Sequence, residues 1–290
     1  LGGRSRGGGG EPRPRGFESL PAPGLTPGVI YVPFPASSPN VCRTVLPRHV
    51  GPPQVPACGL FFARNLSPMN PSAPRVMFFY DGFNLYHSLE RARLAAPAEP
   101  VKWLDLTGLA HEHLSAIGPT ESLAGVRYFT AYAEHLALTK PERLSRHRAY
   151  VRALTATGVQ VYLGHFKPKQ VWIESLARFE RIWQEKATDV NVVAQVFAHA
   201  ARDAFDVAVV VSGDADYAPA VPVFREMFPQ KRLLFGFPFD RKNRELERVA
   251  PDSFVFARES YAKHQLPAAV RLPSGKFVVR PHAWGPPPPV

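Results

Sequence analysis

From Arg75 onward the chain alternates short apolar runs with amphipathic stretches, and this alternation limits its fold more than any other feature. The runs 76–80 (VMFFY), 126–132 (VRYFTAY), 159–163 (VQVYL), 207–212 (VAVVVS), 232–237 (RLLFGF) and 254–257 (FVFA) are rich in β-branched and aromatic residues. Runs of that length and content read as strands buried on both faces. Helical patterns lie between them, at 83–94, 104–117, 140–157, 172–204 and 215–227. Punctuation agrees: Thr139 precedes Lys140-Pro141-Glu142 at a helix start, and Gly158 follows the last periodic residue. Strands separated by helices predict an α/β fold, a parallel sheet flanked by helices on both faces.

Composition divides the 290 residues unevenly. Residues 1–75 hold 15 of the 32 prolines and 11 of the 21 glycines, a mixture that cannot bury a core. Residues 1–74 are therefore read as a disordered tail, 75–260 as the folded domain, and 261–290 as an extension over the surface ending in the Pro286–Pro289 run. Eight arginines against Glu11 and Glu18 place +6 of the formal +11 charge in residues 1–75, so the sequence pI of 9.9 says little about a binding surface on the domain. Cys42 and Cys58 also lie in the tail, which leaves neither a disulfide framework nor a zinc site. With Leu1 first and Met69 and Met77 beside the first patterned segment, a native start near Met69 is the expectation. No apolar run is long enough to span a membrane, and the cytoplasm is the default compartment.

The informative residues are acids at strand ends. Asp81 follows VMFFY directly, and Asp214 and Asp216 follow VAVVVSG. In open parallel sheets ligands bind outside the carboxyl ends of the strands, so both ends deliver their acids to one edge. Asp189 opens the apolar helix before the Asp214 strand, with Thr188 as candidate cap. Any one of these aspartates also serves as a cap or turn residue. Convergence is what distinguishes them, because carboxylates about 4 Å apart repel by roughly 4 kcal/mol per pair at an effective dielectric near 20. A cation or raised pKa values must compensate, and an all-oxygen donor set predicts Mg²⁺ or Mn²⁺.

The segments Phe79-Tyr80-Asp81-Gly82-Phe83-Asn84-Leu85, Glu185-Lys186-Ala187-Thr188-Asp189-Val190-Asn191 and Val211-Ser212-Gly213-Asp214-Ala215-Asp216-Tyr217 resemble, in order and spacing, the three signature blocks of the NYN domain, a branch of the PIN-like nuclease superfamily. The resemblance covers about residues 75–260 and implies a PIN-like, Rossmannoid sheet and a metal-dependent ribonuclease. Asp81, Asp189, Asp214 and Asp216 match the family's acidic metal-binding positions, and Asn84 matches their polar partner. Two departures stand out: residues 166–184 lack the cysteine pair of many bacterial members, and Ala187 replaces the glycine common after the lysine.

Around these acids, Ser212 and Thr188 are candidates to orient ligands, and Lys186, Lys167 and Lys169 to contact substrate. Lys140, Arg143, Arg146, Arg148, Arg152, Arg241, Lys242 and Arg244 extend an RNA track. Phe83, Tyr86, Phe166 and Tyr217 are candidates to stack on bases. His111-Glu112-His113 lacks zinc-protease spacing and reads as the wet face of a helix, and His199 as a satisfied core histidine. No nucleotide-triphosphate or dinucleotide fingerprint follows a strand. The expectation is an Mg²⁺/Mn²⁺-dependent endoribonuclease acting on single-stranded or structured RNA. Its rival is an RNA-binding or scaffold module that keeps the acids and turns over little.

Overall fold

The computed structural model describes residues 73–285, so the tail, the start near Met69, both cysteines and the Pro286–Pro289 run lie outside the described residues. The elements run β1 (Arg75–Asp81), α1 (Gly82–Ala95), α2 (Leu106–Glu112), β2 (Ser122–Thr130), α3 (Pro141–Ala156), β3 (Gln160–Leu163), β4 (His165–Ile173), β5 (Arg178–Lys186), α4 (Thr188–Ala201), β6 (Val207–Val211), α5 (Ala220–Met227), β7 (Arg232–Phe237), α6 (Arg244–Val249), β8 (Phe254–Val255), α7 (Arg258–Lys263), β9 (Ala269–Arg271) and β10 (Phe277–Val279). Six strands form one parallel sheet in the order β3-β2-β1-β6-β7-β8. All six expected strands are in it.

Period-2 alternation explains why the central strands are apolar throughout. Val76, Phe78 and Tyr80 of β1 enter one core with Val207, Val209 and Val211 of β6, under α1, α2 and α3. Met77 and Phe79 enter the other with Ala208 and Val210, under α4 and α5. Both faces are thereby covered, as an all-parallel sheet requires. Helix α4 presents Val192, Val196 and Ala200, one turn apart, to the second core.

The expected helix 172–204 is replaced in its first half by an antiparallel ribbon, β4–β5, in which Phe166 pairs with Glu185 and Trp172 with Phe179. Val171, Trp172, Ile173, Phe179, Ile182 and Trp183 favour a pleated backbone, and the helix begins only at Thr188. The ribbon's two strands pair only with each other. Beyond residue 260 the chain is better packed than a surface extension: Val270 and Val278 of the β9–β10 hairpin are buried, and Trp284 packs on Trp103 and Tyr150. Among the described residues no helix is long and apolar enough to cross a membrane.

Candidate active site

Strand order reverses between β1 and β6, because β1 continues to β2 on one side while β6 continues to β7 on the other. A crevice opens at the carboxyl ends of two strands that diverge in this way. Asp81 is the last residue of β1 and is 3% exposed. Its Oδ1 accepts the N–H groups of Phe83 (3.1 Å) and Asn84 (3.0 Å), capping α1. Its Oδ2 accepts the hydroxyls of Ser212 (2.9 Å) and Tyr217 (3.4 Å). A good cap contributes about 1 kcal/mol, so one carboxylate both starts a helix and faces the crevice.

The β6 end is braced in the same way. The Asn84 side-chain oxygen accepts from Gly213 N (3.0 Å), and Asn243 Nδ2 donates to the Gly213 carbonyl (3.1 Å). A Cβ on Gly213 would lie 1.8 Å from the Arg241 carbonyl oxygen, so only glycine lets these two loops approach. Ser212 Oγ accepts from Asp214 N (3.1 Å), and Asp214 Oδ1 accepts from Asp216 N (3.1 Å).

The third contribution comes from α4. Asp189 Oδ1 accepts from the Tyr217 hydroxyl (3.2 Å), which therefore lies between Asp189 and Asp81. Thr188 does not cap α4: its hydroxyl donates to Glu185, and the cap position is Ala187 in the left-handed region (φ 75°). Glu185, which the sequence reading left without a role, reaches the same crevice.

Electrostatics link these groups. Burial pushes the Asp81 carboxyl up to about 6, against the Asn84 and Ser212 hydrogen bonds and with the nearby negative charges of Asp189 and Asp214. Glu185 is raised to about 7, first by burial, with the Thr188 bond opposing and the charges of Asp81 and Asp189 reinforcing it. Asp189 is raised by desolvation, with Asp214 and Asp216 adding to the shift. Asp81, Glu185 and Asp189 are thus made costlier to ionise by burial and by their acidic neighbours. The crevice encloses about 490 Å³, with Lys186 and Arg241 also on its wall.

Several sequence expectations meet a different geometry. The acids share one crevice, but among the described residues no group of three or more His, Cys, Asp or Glu closes to metal-holding distance. Both Asp81 oxygens accept hydrogen bonds, and the Tyr217 hydroxyl reaches both Asp81 and Asp189. Tyr217 is 2% exposed and holds carboxylates, so it offers no face to a base. Lys167 and Lys169 lie out along the ribbon, paired with Gln184 and Ile182, and do not line the crevice. Arg148 and Lys242 are engaged by Glu134 and Glu247. His113 is half-buried against Phe254 and Phe256, contrary to a wet helix face, whereas His199 is buried with its Nδ1 at Gln195 O (2.8 Å), as expected.

A parallel α/β sheet flanked by helices, with acids at its switch point, fits the PIN-like class. Residues 75–258 match the NYN domain, and the chain belongs to that family within the PIN-like superfamily. The chain is similar to 6-hydroxy-3-succinoylpyridine 3-monooxygenase HspA of Pseudomonas putida (strain DSM 28022 / S16), at 24% identity over 243 residues, 72% of this chain and 75% of that protein. Among solved structures it is similar to a protein of unknown function, VPA0982 of Vibrio parahaemolyticus RIMD 2210633, with a TM-score of 0.42 and 16% identity over 68% of this chain and 98% of that one.

Proposed function

We propose that the protein is a metal-dependent ribonuclease that hydrolyses phosphodiester bonds within RNA at the crevice between β1 and β6. One observation carries this reading: three separate segments deliver Asp81, Asp189 with Glu185, and Asp214 with Asp216 to one crevice, where burial and mutual repulsion oppose the ionisation of Asp81, Glu185 and Asp189. A hard divalent cation matches that oxygen-only donor set, and Mg²⁺ or Mn²⁺ is the expected ion. Asp81, Asp189, Asp214 and Asp216 would hold it, and bound there it would supply an activated water and charge neutralisation at the phosphate. The protein's own groups do the rest. Ser212 and Tyr217 aim the Asp81 carboxylate, Asn84 fixes the β6 turn, and Lys186 and Arg241 place positive charge on the crevice wall.

The lack of a closed three-ligand group among the described residues favours a second reading, an RNA-binding module with negligible turnover. Cleavage of end-labelled RNA with Mn²⁺ or Mg²⁺, in wild type, Asp214→Asn and an EDTA control, separates the two. Metal-dependent cleavage lost in Asp214→Asn is the expected result. Cleavage that survives the substitution overturns the site, and RNA binding with no cleavage selects the binding module.

A further inference from the structure

A second cavity, of about 620 Å³, lies beside the acidic crevice and shares Phe83, Phe166 and Glu185 with its wall. That size falls within the roughly 300–1,000 Å³ of small-ligand pockets. Its charge is opposite to the crevice's. Arg143 and Arg146, three residues apart on α3 and so on one face, line it without an ion-pair partner among the described residues, while Arg148 on the same helix is paired with Glu134. Tyr86 on its wall is 47% exposed, with Lys102 Nζ 5.5 Å from its ring centroid, so part of the ring remains open to stacking.

An anion-binding arginine pair beside a half-exposed aromatic ring corresponds to phosphate and base. We propose that this cavity seats the nucleotide adjoining the scissile phosphate of a single-stranded RNA, with Arg143 and Arg146 on its phosphate and Tyr86 under its base. The assignment rests on the ribonuclease reading of the neighbouring crevice. Guanidinium forks suit phosphate oxygens, and base stacking on an aromatic ring is indifferent to sequence. The shared wall at Phe83 and Phe166 lets one strand occupy both spaces, so the chain would be drawn across the acids by a neighbour held on arginine.

Binding of a fluorescein-labelled single-stranded oligouridylate to the full chain, followed by anisotropy across a salt series in EDTA, tests the proposal apart from cleavage. Arg143→Ala/Arg146→Ala is expected to weaken binding about tenfold at about 0.1 M salt and to flatten the log–log salt slope by about 0.7, the value for loss of one phosphate contact on a single strand. Arg148→Ala/Arg152→Ala removes the same charge from the same helix and is expected to stay within about twofold of wild type. Tyr86→Ala is expected to weaken binding by about tenfold with the slope unchanged, since stacking involves no counterion; it also provides a readout if the arginine variant does not fold. Equal losses in the two arginine pairs, or a wild-type slope in Arg143→Ala/Arg146→Ala together with wild-type affinity in Tyr86→Ala, would overturn the cavity assignment while leaving cleavage by wild type intact. A wild type that neither binds nor cleaves RNA removes the ribonuclease reading and this one with it.

Discussion

Replacing Gly82 by alanine sets two effects of opposite sign against each other. Gly82 opens α1 directly after Asp81, and alanine is favoured over glycine in a helix by up to about 1 kcal/mol. On propensity alone the variant would be more stable. A Cβ built there, however, lies 2.5 Å from the Phe129 carbonyl oxygen and 2.8 Å from two ring carbons of Tyr128. Ordinary contacts need about 3.5 Å, so α1 must retreat from β2 by about 0.5–1 Å. The obstacle is backbone in a strand paired on both edges, with β1 and β3, and it cannot yield as a side-chain tip would. Overpacking of this kind costs about 1–3 kcal/mol. With the upper half of that range set against the propensity gain, the net is a loss of about 1–2 kcal/mol. For a domain of this size that lowers the thermal midpoint by about 2–8 °C. The movement also pulls Phe83 N and Asn84 N away from Asp81 Oδ1 and Asn84 away from Gly213, so RNA cleavage should fall at least tenfold while the protein remains folded. Thermal or urea unfolding and cleavage assays on the same preparation check both parts. A midpoint at or above that of wild type, or a lowered midpoint with full cleavage, would refute the steric argument.

Ala187→Gly should stabilise by about 0.5 kcal/mol, because relief of about 1–2 kcal/mol of left-handed strain exceeds the added unfolded-state entropy; urea midpoints read the sign, and a drop would rule the strain out. Asp206 accepts three hydrogen bonds from the Arg75 backbone and guanidinium, which hold its carboxyl down at about 2. A depressed folded pKa means stability present above pH 4 and lost as pH falls toward 2, so Asp206→Asn should be less stable than wild type by about 1 kcal/mol at pH 7, after discounting for the pair's partial exposure, with the gap closing in acid. A gap independent of pH would contradict this linkage. Tyr217→Phe removes the hydroxyl between Asp81 and Asp189 and should reduce kcat about tenfold with little change in KM; an unchanged kcat would exclude a positioning role.

The central sheet was legible because each of its strands is a short apolar run bounded by helical periodicity, and the strand-end rule then brings Asp81 and Asp214 to one edge. The ribbon was not. Its exposed strands alternate aromatic and charged residues without the continuous apolar run of a buried strand, and the charges Arg178, Glu180 and Arg181 mimic a solvated helix face. Glu185 went unread for the same reason, since its approach to Asp81 depends on β5 being extended. Tyr217 was placed at the right edge but facing the wrong way: the one-turn helix Ala215–Tyr217 directs it inward, beneath the acids. Ala187 was noted only as a substitution, and its positive φ supplies the physical meaning of the glycine usual at that position.

The ribbon lies outside both cores, held at its root where His135 stacks on Trp183 at 4.7 Å and Gly164 packs close to Thr188. Two-stranded ribbons are marginal by themselves. Its amides should therefore exchange with solvent through local opening, at a free energy well below that of the sheet, while β1 and β6 stay protected. Only two residues separate its last strand from Asp189. One acid of the crevice is thus tethered to the least cooperative part of the fold, and hydrogen exchange over residues 165–186 becomes a direct measure of how often the crevice is whole.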